Sequence, residues 1–210
     1  MFKGFLNILL YIFFPTIFTT FFTDDIYSEK FMLYYFIAHI LLTIYFILKY
    51  KKDLKNYIKS LNKKNIKTTL IYWTIGFILM MLANYIINYL IIPNGISNNE
   101  AGNRELLLNN KFIYSILLCI FIPILEEISF RLEFKKNIKN KYFFITISSL
   151  TFALLHLTST IKFIELLYII PYLILGLTFT NIYQKTDNIL CNISAHILHN
   201  TIIVFIILFL

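Results

Sequence analysis

The chain has little that titrates and few thiols. Of its 210 residues 14% are Asp, Glu, Lys or Arg, and 11 acids face 19 Lys and Arg. Cysteine occurs twice, at Cys119 and Cys191, both inside apolar runs and with no CxxC or other ligand spacing. The two thiols therefore read as small buried hydrophobes. No HExxH is present, which removes the two-histidine zincin helix. No internal repeat and no paired broken helices are visible, which argues against a repeat-built transporter. Short alternating segments of about ten residues, the signature of a transmembrane β-barrel, are missing too.

What is there is apolar. Hydrophobic residues make up 59% of the chain, and the mean hydropathy is +0.73. A soluble domain is about 45–50% apolar. The excess falls in runs long enough to cross a bilayer as helices. In lipid the backbone must satisfy its own hydrogen bonds, so the spans are helical. The sequence predicts an all-α, polytopic transmembrane bundle of about seven spans, near 4–22, 31–48, 69–92, 111–134, 142–158, 163–183 and 189–210. Pro171 is expected to kink the sixth. The first run follows Lys3 and ends in Thr-Phe-Phe-Thr-Asp-Asp without a small-x-small cleavage site, so it reads as a retained helix.

Charge orients the bundle. An acidic turn holds Asp24, Asp25 and Glu29; the segment 49–67 holds eight lysines and one aspartate. With the N-terminus inside, 15 cations lie inside and four (Lys30, Arg104, Lys111, Lys162) outside. The positive-inside rule favours this arrangement, with the C-terminus outside. The net charge of +8 is thus topogenic, and no nucleic-acid partner is expected. The 49–67 segment reads as a topogenic loop, with contact to anionic lipid as the alternative. Two regions follow: residues 1–110, N-terminal helices with the basic loop, and residues 111–210, which carry the chemistry. Richness in Ile, Asn, Lys, Tyr and Phe fits an AT-rich genome, and a multi-pass protein of a bacterial plasma membrane.

Ionisable side chains inside spans are costly, and they usually face a cavity and serve function. The fourth span contains Glu126-Glu127-Ile128-Ser129-Phe130-Arg131. Glu127 and Arg131 are i and i+4 and meet on one face; Glu126 lies about 100° away and has no partner in its own helix. The fifth span carries His156 one turn after Phe152; the seventh carries His196 one turn before Asn200, with His199 near the same face. A carboxylate and a histidine can hold a water and take its proton. A His–Asn pair can donate to the oxyanion formed when that water attacks a carbonyl. Those parts suffice for peptide hydrolysis. Each residue alone reads as structural: an ion pair, or a helix–helix hydrogen bond. His39 reads as structural, and His199 is left open.

The pattern Glu126-Glu127-x-x-x-Arg131, Phe152-x-x-x-His156, His196-x-x-x-Asn200, with Gly176, Tyr183 and Thr186 between the last two, resembles the CPBP family. That family comprises CAAX prenyl endopeptidases and bacteriocin-processing and self-immunity proteins, and is also called the Abi family. The resemblance covers about 111–204. It implies that Glu126 and His156 activate water, that His196 and Asn200 stabilise the oxyanion, and that Glu127 and Arg131 brace the site. The substrate would be a membrane-associated peptide or protein at the inner face, CAAX-type or a bacteriocin or other leader. No cofactor is favoured; if zinc is bound, Glu126, His156 and His196 are its ligands. A non-catalytic immunity or scaffold protein, or a transporter or proton relay, are the competing functions. Along ideal helices Glu126, His196 and His156 lie about 14, 11 and 21 Å from the inner ends of their spans. Tilt, or late membrane entry of the fifth span, would level them, around a mid-membrane cavity expected to open inward.

Overall fold

A computed structural model describes residues 2–23, 25, 28–93, 95–157 and 163–209, with backbone alone at 2–5, 163 and 164. Asp24, Lys162 and the end of the fifth predicted span at 158 lie outside the described residues, as does the side chain of Lys3. Among the described residues there is no strand. Nine helices are described: α1 (Phe2–Thr20), α2 (Glu29–Lys49), α3 (Lys51–Ser60), α4 (Lys63–Ile91), α5 (Asn98–Asn109), α6 (Lys111–Asn137), α7 (Lys141–Leu155), α8 (Ile169–Thr186) and α9 (Ile189–Phe209). A 3-10 segment, Phe163–Tyr168, leads into α8.

Short polar residues start these helices. Ser28, Asn62, Ser97 and Asn140 each accept the backbone N–H three residues on, satisfying one of the donors a helix start leaves open. Asp187, at φ 48°, makes the left-handed turn from α8 into α9.

α2, α4, α6, Glu165–Thr186 and α9 are long and apolar enough to cross a membrane; α1 and α7 are shorter apolar helices. Together they account for the seven predicted runs. α7, at 15 residues, rises about 22 Å, less than the hydrocarbon core of about 30 Å. It stops at His156. The outer wall of the bundle is aliphatic, with Ile44, Ile78 and Leu82 among its exposed side chains, as suits helices whose solvent is lipid.

Pro171 does not kink a long helix. It sits in the first turn of α8, where its missing N–H has no intrahelical partner to lose. The irregularity lies in α6 instead. Two π-helical turns, Leu117–Phe121 and Ile128–Leu132, bracket the segment that holds Glu126 and Glu127. Wider turns free backbone carbonyls for side chains. Leu118 O accepts from Asn200 Nδ2 at 2.7 Å, and Phe130 O from Ser148 Oγ at 2.6 Å.

α8 packs most closely on α4 and α7. Two glycines allow it. A Cβ on Gly176 would meet the Ser149 carbonyl oxygen of α7 at 2.7 Å, and one on Gly76 would run into Thr178 of α8. Small residues are what bring membrane helices into contact.

Candidate active site

α6 turns both of its adjacent carboxylates inward. Glu127 is fully buried and closely held. Its Oε1 lies 2.8 Å from His196 Nδ1 and 3.3 Å from an Arg131 guanidinium nitrogen; its Oε2 accepts from Asn192 Nδ2 at 3.1 Å. Arg131 is also fully buried, its guanidinium 4.4 Å from the Phe152 ring centroid and 5.6 Å from that of Phe179. The i, i+4 pair is therefore an ion pair clamped between aromatic faces, a geometry that favours arginine over lysine.

Glu126 is held differently. Its Oε1 accepts from the Tyr11 hydroxyl at 2.6 Å. Its Oε2 is buried with no hydrogen-bond partner, 3.7 Å from His196 Nε2. A buried carboxylate oxygen left open is rare and calls for water or ligand.

The imidazoles are oriented by their other nitrogens. His196 presents Nδ1 to Glu127 and so turns Nε2 toward Glu126; its ring stacks on Phe179 at 4.5 Å. His156 caps α7, and its Nδ1 lies 2.8 Å from the Phe152 carbonyl. A carbonyl can only accept, so Nδ1 carries the proton and Nε2 bears the lone pair. The ring rests between Phe152 and Tyr172, 4.5 and 4.6 Å away. Asn200 donates to Leu118 O. His199 is buried, with Nδ1 unpartnered. His39 is buried too, and bonded to its own helix through Tyr35 O.

Glu126, His156, His196, His199 and Asn200 all line one cavity of about 480 Å³. The unequal depths counted along ideal helices do not keep His156 away from it. Two polar partners were not anticipated. Tyr11 comes from α1, 115 residues from Glu126, and nothing local in the sequence signals it. Asn192 is one turn before His196, so the run Asn192-x-x-x-His196-x-x-x-Asn200 carried a usable helical signal. The carboxylate–imidazole contact within ion-pair distance joins Glu126 to His196, whereas the sequence pairs Glu126 with His156. Among the described residues no three His, Cys, Asp or Glu side chains are grouped as a metal-ligand set.

The cavity's lining extends from Glu126 to Ser97, Glu100 and Arg104 of the α5 region, and includes no residue of the lysine-rich α3. Exposure rises along that path, from 5% at Glu126 to side-chain values of 34% at Glu100 and 46% at Arg104.

Comparison with known proteins agrees with the motif reading. Residues 108–202 match the family model for Type II CAAX prenyl endopeptidase Rce1-like proteins. The UPF0177 protein YxdF of Lactococcus lactis is 30% identical over 176 residues, covering 79% of this chain and 89% of YxdF. An uncharacterized protein of Mycoplasma capricolum is 31% identical over 170 residues, 75% of this chain and 48% of its own. The UPF0177 protein YbdI of L. lactis is 31% identical over 119 residues, 55% of this chain and 64% of YbdI. No solved structure matches significantly. These bacterial relatives and the long apolar helices make the protein a multi-pass component of a bacterial plasma membrane. The motifs on α6, α7 and α9, the Rce1-like match and the UPF0177 relatives together establish that the chain belongs to the CPBP family, whose type is the membrane protease.

Proposed function

We propose that the protein is an intramembrane endopeptidase that hydrolyses a peptide bond of a membrane-associated peptide or protein. The observation that carries this reading is the open Oε2 of Glu126, buried in a cavity shared with His156 from α7 and with His196, His199 and Asn200 from α9. Glu126 takes a proton from a water held between it and His156 Nε2. The oxygen of that water attacks the scissile carbonyl carbon. Asn200 donates to the oxyanion as it forms, and His196 does so through Nε2–H as the imidazolium, its Nδ1–H being directed at Glu127. Glu126 then returns the proton to the leaving amine, and the C–N bond breaks. Glu127, held by Arg131 and Asn192, fixes the ring of His196 and touches no substrate.

No step in this scheme passes through a metal. Cleavage by purified protein is expected to continue in chelator. Activity that vanishes with chelator and returns with zinc refutes the metal-free scheme. Glu126→Gln is the decisive variant: it retains shape and hydrogen bonding but cannot take the proton. A cellular phenotype that survives it is not proteolytic and points to a non-catalytic immunity role. Ion flux in proteoliposomes that depends on Glu126 points to a proton relay.

A further inference from the structure

Lysine gathers mainly at one end of the bundle, with Lys30 and Lys111 the exceptions at the opposite ends of α2 and α6 and no lysine on α9. α4 begins at Lys63 and Lys64, α2 ends at Lys49, α6 ends beside Lys135 and Lys136, and α8 ends at Lys185. The cavity avoids all of these ends. α4 contributes Asn84 and Asn88 from its last turns, α6 contributes Tyr114 from its first turn, and α8 contributes Tyr172, also from its first turn. α9, which starts beside the lysine-bearing end of α8, contributes Ile207 near its far end. The lysine-marked half is closed by packing: Leu42, Phe46, Leu125, Ile128, Leu132 and Phe144 form one buried cluster there. Below Glu126, the Glu127–Arg131 pair has no exposure at all. Lysine-marked ends stay in the cytoplasm. The path from Glu126 to solvent therefore leads to the opposite face.

The walls of that path are mixed, with Met81, Ile203, Val204 and Ile207 beside a set of neutral polar groups. Asn88 accepts from the Tyr168 hydroxyl at 2.9 Å, Asn103 accepts from Tyr114 at 2.7 Å, and Asn99 donates to the Tyr172 hydroxyl at 3.2 Å. The two charges at the rim, Glu100 and Arg104, neutralise one another at 2.5 Å. Amides offer a donor and an acceptor together, the same pair that a peptide main chain presents. Such groups can pair with the main chain of an extended peptide.

We propose that the catalytic cavity opens to the extracytoplasmic face, through a vestibule built by α5 and the start of α8. Its substrate is an extended peptide segment presented from outside: a secreted or incoming peptide, or an external loop or tail of a membrane protein. This rests on the endopeptidase reading for what happens at Glu126, but the direction of opening stands on the lining and the lysine ends alone. A cytoplasmic tail reaches Glu126 only by unpacking the inner half of the bundle.

The test is sided labelling. In a background with Cys119→Ala and Cys191→Ala, single cysteines are placed at the rim (Asn103→Cys, and separately Asn99→Cys), on the cavity wall (Met80→Cys), and on the lysine face (Lys55→Cys). A charged, membrane-impermeant thiol reagent is applied to intact cells and to inverted vesicles. The rim and wall cysteines are expected to label in intact cells and to lose that labelling in inverted vesicles, with Lys55→Cys doing the reverse. Rim and wall cysteines that label only in inverted vesicles, or only after detergent, overturn the proposal. Labelling is read whether or not the protein cleaves anything. An outward mouth on a protein whose Glu126→Gln variant loses no function therefore refutes the endopeptidase alone.

Discussion

Two buried polar clusters sit in this bundle and are built on opposite principles. The one beside the lysine-rich ends joins α1, α2 and α6 around Asn7. Asn7 donates to the Tyr50 hydroxyl at 2.6 Å and to Glu133 at 2.5 Å, and accepts from Lys49 at 2.5 Å. Lys136 meets Asp53 of α3 close by. α3 is tied down through Tyr57, whose hydroxyl lies 2.8 Å from that of Tyr183 and whose carbonyl accepts from Asn188. Every polar group named there has a partner. The cluster around Glu126 leaves a carboxylate oxygen and an imidazole nitrogen open, both deep in the molecule. A satisfied buried network fixes geometry; an open one is held in place by its neighbours for something else. Arg131 is the exception among the structural groups: its guanidinium nitrogens also lack hydrogen-bond partners, and it rests on the Glu127 charge and two aromatic faces.

The comparison can be broken at its extremes. Glu126→Gln is predicted to lower the cleavage rate about 10²–10⁴-fold while leaving thermal unfolding in detergent nearly unchanged. Equal loss of rate and stability would place Glu126 with the structural groups. Arg131→Ala strands the Glu127 charge in the core, and a loss of about 3–5 kcal/mol is predicted. Chemical unfolding in detergent measures it, and the double variant Glu127→Gln with Arg131→Leu should recover part of that loss. Asn7→Leu removes the common partner of Tyr50, Glu133 and Lys49, with a predicted cost of about 1–3 kcal/mol. Turnover per folded molecule should stay at the wild-type level; a drop comparable to that of Glu126→Gln would dissolve the distinction between the clusters. Tyr11→Phe sharpens it, since one hydrogen bond to the carboxylate is lost, worth about 1.5–3 kcal/mol. The expected result is a rate change of at most about a hundredfold, read as initial velocity.

Much of the fold was legible because lipid is an undemanding reader of sequence. A run of apolar residues of the right length becomes a helix whatever its order, and each of the seven runs is mainly α-helical over its described residues. The adjacent Glu126 and Glu127, and the turn-spaced Phe152/His156 and His196/Asn200 pairs, stood out because polar groups are scarce in such runs. Within-helix relations could be read as well: Glu127 and Arg131 meet as their spacing requires. Relations between helices could not. Tyr11 on Glu126 and Tyr57 on Tyr183 join residues more than a hundred positions apart. The π-turns of α6 also escaped, because their sequence is as apolar as an α-helix and their benefit lies in carbonyls offered to Ser148 and Asn200 of other helices.

The sequence by itself determined that the chain is a helical membrane bundle, which ends of its spans carry lysine, and which seven side chains form the three motifs, since each of these depends on composition or on spacing within one helix. Only the tertiary structure decided that Glu126 keeps one oxygen open, that Glu127 turns His196 toward it, and that the cavity leads away from the lysine face. Those depend on how separate helices pack, and in lipid the hydrophobic effect does not choose that packing. Close contact at Gly76 and Gly176 and the few interhelical hydrogen bonds do.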